Sequence, residues 1–179
     1  FAKHPLDLIV SIGGPATNFV QRNRQQLFAT TPMVFTAVEQ RRVQRSNLTE
    51  NETVVPIAQN FPAIIENILH VLPDTKTVAV VIGNSSLERF WLETLRKEFA
   101  PFADRLSFIW YNDRSFVDIL KNAAALPPHS AIYWHQINVD AAGVVHEGDK
   151  GLETLYAVAN APIFSFSDAF FDGEVVGGP

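Results

Sequence analysis

Thr77-Val78-Ala79-Val80-Val81-Ile82-Gly83-Asn84-Ser85-Ser86-Leu87-Glu88-Arg89-Phe90-Trp91-Leu92-Glu93-Thr94-Leu95-Arg96-Lys97-Glu98-Phe99 contains the decisive change of period. Its first part, Val78-Ala79-Val80-Val81-Ile82, is an unbroken apolar run. Such a run suits a parallel strand covered on both faces, not a half-wet one. After Gly83 the pattern becomes helical. Ser85 followed three places on by Glu88 has capping-box spacing, in which hydroxyl and carboxylate each satisfy an orphan backbone amide. The spacing predicts a helix over Ser86–Phe99. Phe90, Trp91, Leu92, Leu95 and Phe99 form its buried face, and Arg89, Glu93, Arg96 and Lys97 stay in water.

The same strand-then-helix unit recurs outward from this segment. Strands are predicted at Leu6–Gly13, Pro32–Val38, Thr77–Gly83, Leu106–Asn112, Ala131–Gln136 and Pro162–Ser167, with a last one near Glu174–Gly177. Helices are predicted at Pro15–Phe28, Pro62–Leu72, Ser86–Phe99, Phe116–Ala125 and Glu147–Ala159. Pro15 and Pro62 sit where a first helical turn accepts proline, and Ser115 with Asp118 repeats the capping spacing. Alternation of this kind means an α/β fold, doubly wound, with mostly parallel sheets and flanking helices. Glu39–Thr53 stands apart. It is polar, carries Arg41, Arg42 and Arg45, has no apolar period, and reads as a surface excursion.

Composition narrows the function. The 179 residues carry 14 Lys+Arg against 19 Asp+Glu, a net charge of −5, with 47% hydrophobic residues. A mildly acidic chain without Lys/Arg blocks does not fit nucleic acid, whose phosphates need clustered cations. The absence of Cys excludes disulfides, thiolate metal sites and Cys nucleophiles. No G-x-G-x-x-G, G-K-[ST] or G-x-S-x-G motif occurs, so dinucleotide, P-loop and α/β-hydrolase readings lack their central residues. His135, Asp140, His146 and Asp149 match no metal-ligand spacing, and no metal or other cofactor is expected.

In an open α/β sheet, ligands bind beyond the carboxyl ends of strands. The residues expected there are Gly13-Gly14-Pro15-Ala16, Thr36-Ala37, Asn84-Ser85, Trp134-His135 and Asp168. Each has a structural alternative: a tight turn for the glycines, capping for Ser85, a core or rim place for Trp134, turn chemistry for Asp168.

Leu6-Asp7-Leu8-Ile9-Val10-Ser11-Ile12-Gly13-Gly14-Pro15-Ala16 resembles the strand and turn of type I periplasmic binding proteins, in the branch of ABC-transporter substrate-binding proteins. Thr31–Val38 and Pro73–Gly83 resemble later segments of that branch. Leu126–Tyr133, Asp140–Gly143, Ala161–Phe164 and Val175–Gly178 follow one another as in a bacterial subgroup that often forms the extracytoplasmic sensor of a membrane histidine kinase. The subgroup's last loop has a glycine where this chain has Glu174, and the family domain usually starts about two β-α units earlier.

The resemblance implies two Rossmann-like lobes closing on a small polar solute such as an amino acid or organic acid. The expected division is residues 1–73 in a truncated first lobe, 74–172 in the second, and 173–179 returning toward the first. Gly14, Pro15, Ala16, Thr36 and Ala37 would face the solute from one lobe, and Asn84, Ser85, Trp134, His135 and Asp168 from the other. It further implies a non-enzymatic, periplasmic sensor domain tied to a membrane-anchored kinase, with a homodimer in keeping with that role. A solute-binding protein serving an ABC permease is the alternative. A doubly wound enzyme using His135 and Asp168 is a third reading, from a different class.

Overall fold

A computed structural model describes residues 6–167, 170–171 and 173–178. The chain divides into two compact units, one ending at Gln59 and the other beginning at Asn60.

The first unit holds a three-stranded parallel sheet in the order β1 (Ile9–Ile12), β2 (Met33–Glu39), β3 (Glu52–Ile57). Helix α1 (Gly14–Leu27) connects β1 to β2. Met33, Phe35 and Val38 form the core of this unit, with Ile9, Val20, Phe28 and Val54 packed around them. Arg24 on α1 reaches Glu52 at the start of β3, with Nη1 to Oε1 at 2.9 Å and both side chains buried. The second Glu52 oxygen accepts the Thr49 amide at 2.9 Å. Its lone pairs are thus matched, which a buried ion pair requires if it is not to destabilise. The opposite sheet face is bare. Val10, Ile12, Val55 and Ile57 all lie at least 43% exposed.

Strand β3 was not expected; only its first two residues, Glu52 and Thr53, belong to the polar excursion read from the sequence. Its apolar part is only Val54-Val55-Pro56-Ile57, and Pro56 argues against a strand unless the strand lies at a sheet edge. β3 is an edge strand. The segment before it contains only two short 3-10 turns, at Gln40–Arg42 and Arg45–Asn47.

The second unit carries a four-stranded parallel sheet in the order β5, β4, β6, β7. Its elements run α2 (Phe61–Val71), β4 (Thr77–Ile82), α3 (Ser86–Phe99), β5 (Ser107–Trp110), α4 (Phe116–Ala123), β6 (Ser130–Gln136), α5 (Gly148–Tyr156) and β7 (Ile163–Ser165). The apolar runs are buried on both faces, as their composition required. Val78, Val80, Ile82, Tyr133 and Phe164 pack under α2 and α3 with Phe61, Ile65, Leu95 and Phe99. Ala79, Val81, Ile132, Trp134 and Ile163 pack under α4 and α5 with Phe116, Ile119, Leu152 and Leu155.

Two parts of the expected division differ. Helix α2 was grouped with the first lobe, but its buried residues Phe61, Ile64, Ile65 and Ile68 belong to the core of the second sheet. The segment near Glu174–Gly177 lies along β7. Ser165 donates to Gly177 O at 3.1 Å, Val176 to Ile163 O at 2.8 Å, and Asn67 on α2 to Gly178 O at 2.6 Å. The pairing is an isolated bridge between Phe164 and Gly177 and not a full strand, and a Cβ at Gly178 would overlap Ser165 O.

Gly151 on α5 shows how closely the second core is fitted. A Cβ there would meet the Trp134 ring at 3.2 Å. Replacing Gly151 by Leu is expected to lower stability by about 1–3 kcal/mol, the usual overpacking range. Chemical denaturation with near-UV circular dichroism on the tryptophan bands would measure it.

Candidate functional site

The first unit gathers part of the expected set at one end of its sheet. Gly13 has φ +82°, a conformation that glycine adopts without strain. Its amide donates to Thr36 O at 2.8 Å, which joins the ends of β1 and β2. Gly14 and Pro15 then open α1, with Ala16 and Thr17 following. Gly13 as N-cap makes no side-chain capping bond. The Thr17 hydroxyl instead meets that of Ser11 at 3.2 Å. Thr36 and Ala37 lie beside this turn, where the ladder between β2 and β3 shifts register. Ala37 has φ +53°, sparsely populated for a residue with a Cβ. Sequence reasoning missed Arg42. Its guanidinium lies 3.4 Å from where a Gly14 side chain would begin. The cluster of three arginines directly after the second strand was the available signal.

In the second unit, chain-end geometry separates the expected residues. Gly83, Asn84 and Ser85 follow β4. Ser85 caps α3, accepting the Glu88 amide at 3.2 Å, while the Glu88 carboxylate accepts the Ser85 amide at 2.8 Å. The capping box is therefore complete. The Asn84 backbone is also engaged, its N–H donating to Val139 O at 2.7 Å and its carbonyl accepting from Arg89. The Asn84 side-chain amide makes no hydrogen bond among the described residues and is half-buried.

Trp134 and His135 point to opposite faces, as alternation along a strand demands. Trp134 is buried in the core under α4 and α5. It is not an aromatic wall at the strand end, because its register position, opposite Val81 and Ser165, sets it within the sheet. His135 lies on the other face, inside a ring of aromatics. Its ring centroid is 4.8 Å from Phe166, 5.7 Å from Phe61 and 5.9 Å from Trp91. Its Nδ1 and the Tyr133 hydroxyl are 3.0 Å apart. Burial without a nearby anion lowers the His135 pKa from 6.5 to about 3, so the ring is neutral near pH 7. Burial, aided by Glu98, raises the Tyr133 phenol. His135 is the enzyme reading's first named residue, and it is enclosed by aromatic side chains. The other, Asp168, lies outside the described residues.

Asp140 ties the loop after β6 to the start of α4. Its carboxylate accepts amides from Phe116, Ala142 and Val144, each at 2.9 Å, and His146 Nε2 at 3.2 Å. Burial alone would raise its pKa, but the hydrogen bonds from Phe116, Val144, His146 and Ala142 outweigh burial and hold it below the ordinary carboxylate range. Among the described residues no group of three or more His, Asp or Glu is placed to hold a metal ion. His146 meets Asp140, while His135 lies in the aromatic cluster.

No family model matches the sequence, and a search of curated proteins finds no relative. Solved structures do match. A substrate-binding protein with adhesive properties from Clostridium difficile, in its ligand-free open form, superposes with a TM-score of 0.61 at 16% identity over 93% of this chain. A conserved domain protein from Vibrio cholerae gives 0.60 at 18% over 96%. An ABC domain from Streptococcus pneumoniae in complex with L-Trp gives 0.58 at 18% over 94%. The chain spans a little over half the length of each, 55–56%. The likeness is one of fold: an α/β arrangement of parallel sheets flanked by helices, shared with part of each of these structures.

Two stability experiments follow. Protons bind His135 far more weakly in the folded than in the unfolded chain, so between pH 6.5 and about 3 the unfolded state holds the extra proton and stability falls with falling pH. His135→Gln should flatten that acid limb, read from denaturation curves across the range. Asp140→Asn leaves at least one backbone amide unmatched and should lower stability at neutral pH by about 1–3 kcal/mol. Because the Asp140 pKa is depressed, its advantage over Asn should be complete above the ordinary carboxylate pKa of about 4 and shrink as pH falls below it.

Proposed function

We propose that this chain is a non-enzymatic domain that binds a small polar solute and passes the binding event to a partner. The observation that carries the reading is the second unit's sheet: four parallel strands share one carboxyl edge, where Asn84 follows β4 with its side-chain amide unbonded among the described residues and Phe166 follows β7, while Trp91 on α3 and Phe166 both lie against His135. Few polar anchors on an apolar ground are what small-ligand sites need. In the first unit, the Gly13-Gly14 turn and Arg42 supply donors that suit a carboxylate. The pneumococcal neighbour, crystallised with L-Trp, supports an amino acid with a flat apolar side chain as the first solute to try.

Solute binding itself is the signal in this reading. We read the domain as the extracytoplasmic sensor of a membrane-anchored histidine kinase, acting as a dimer. The neighbours support delivery of solute to an ABC permease equally well. Ligand-dependent autophosphorylation of the parent protein would mark the sensor. Ligand-dependent stimulation of a permease ATPase would mark the transporter.

The first test is a thermal-shift screen against amino acids, small carboxylates and aromatic acids, followed by calorimetry. A true ligand at about 100 times its dissociation constant adds roughly 2.7 kcal/mol of stability. The binding reading requires at least one such compound, recovered unchanged after incubation. Chemical turnover abolished by His135→Ala would replace it with the enzyme reading.

A further inference from the structure

We infer that Glu88 is a positioning residue for the solute site, locking the loops after β4 and β6 into one geometry so that the Asn84 side chain meets the ligand. The inference rests on the binding function proposed above and goes further by naming the group that aims Asn84.

Glu88 is 1% exposed, unusual for a carboxylate on the first turn of a helix. Its two oxygens serve different loops. Oε2 accepts the Ser85 amide at 2.8 Å, completing the capping box. Oε1 accepts the Asn138 amide at 2.5 Å, fifty residues away in the chain. Capping explains the first bond and not the second. The space for this bridge is made by Gly83, where any Cβ would overlap the Glu88 carboxylate. Two backbone bonds flank it, from Gly83 N to Gln136 O at 2.8 Å and from Asn84 N to Val139 O at 2.7 Å. Of the three links between these loops, two are neutral backbone bonds. The carboxylate bond to Asn138 is charge-assisted, and such bonds are about twice as strong as neutral ones.

Asn84 sits at the middle of this lattice. Its backbone groups on both sides are held, and its side-chain amide is the polar group left without a hydrogen bond among the described residues of the β4–α3 turn. A fixed backbone with an unengaged amide is the arrangement that orients one donor and one acceptor toward a solute at low entropic cost.

Glutamine at position 88 would keep the shape but offer one acceptor and one donor where two acceptors are needed. The test compares the parent chain with Glu88→Gln, Asn84→Ala and Ser115→Ala, the last removing a helix cap on α4. L-tryptophan is the first probe, and the best compound of the thermal-shift screen the second. Expected are a tenfold or greater rise in Kd for Glu88→Gln and Asn84→Ala, against less than threefold for Ser115→Ala. Amide hydrogen exchange in the ligand-free proteins should quicken at least tenfold at Asn138 and Ser85 in Glu88→Gln, and stay within twofold there in Ser115→Ala. Equal affinity losses in Glu88→Gln and Ser115→Ala, or unchanged exchange at Asn138, would overturn the inference. If no compound binds the parent chain, the binding function falls. Exchange alone then decides the Glu88 bridge: local quickening upholds the locking role and unchanged rates refute it.

Discussion

Buried carboxylates satisfied by backbone amides hold the working end of the second unit together. Glu88 and Asp140 are each at most 4% exposed, and among the described residues neither is met by a lysine or arginine. A carboxylate in that setting is tolerated only when its lone pairs are filled. Here they are filled by N–H groups of Ser85 and Asn138 in one case, and of Phe116, Ala142 and Val144 in the other. Each charge therefore acts as a pin between segments distant in sequence. The loops at the carboxyl ends of β4 and β6 carry irregular backbone with little pairing of their own, an isolated bridge between Val139 and Val145 and a few single backbone bonds. These two side chains reinforce the backbone bonds that shape them.

The first unit uses a different device for the same difficulty. Its connection from β2 to β3 contains no regular helix to close over the sheet. Arg24 and Glu52 tie α1 to β3 instead, and Glu39 binds Arg41 through both carboxylate oxygens, one to the backbone amide at 2.7 Å and one to the guanidinium at 2.8 Å. Charged pairs thus do near the polar excursion what aliphatic packing does around β4. The contrast follows from composition: β4 is apolar at every position but Thr77, whereas β3 has only three aliphatic side chains among six residues.

How much was legible in the sequence follows the same division. The apolar runs at Val78–Ile82 and Ala131–Trp134 and the capping box at Ser85 decide the second sheet and α3, because burial and local hydrogen bonding act at short range. β3 was hidden by Pro56 and by its shortness. The place of α2 was hidden because an apolar helical face does not say which of two sheets it will cover. The turn at Gly13-Gly14 and the place of Asn84 directly after β4 were readable from residue type and position. The opposite fates of Trp134 and His135 were not, since they depend on register. Arg42 and the Asn138 end of the Glu88 bridge were invisible for a like reason, being contacts made by loops.

The three tryptophans occupy three different surroundings, and this equips the chain with built-in optical reporters. Trp134 is enclosed by aliphatic and aromatic side chains in the core. Trp110 lies beneath the Arg96 guanidinium, 5.4 Å from its ring centroid. Trp91 leans on Phe61, Phe90 and His135 at the sheet end. Indole emission shifts to the blue in dry, apolar surroundings and is altered by nearby charge. The same spectrum therefore holds separate signals from the interior, from a charged flank and from the region where a solute would dock.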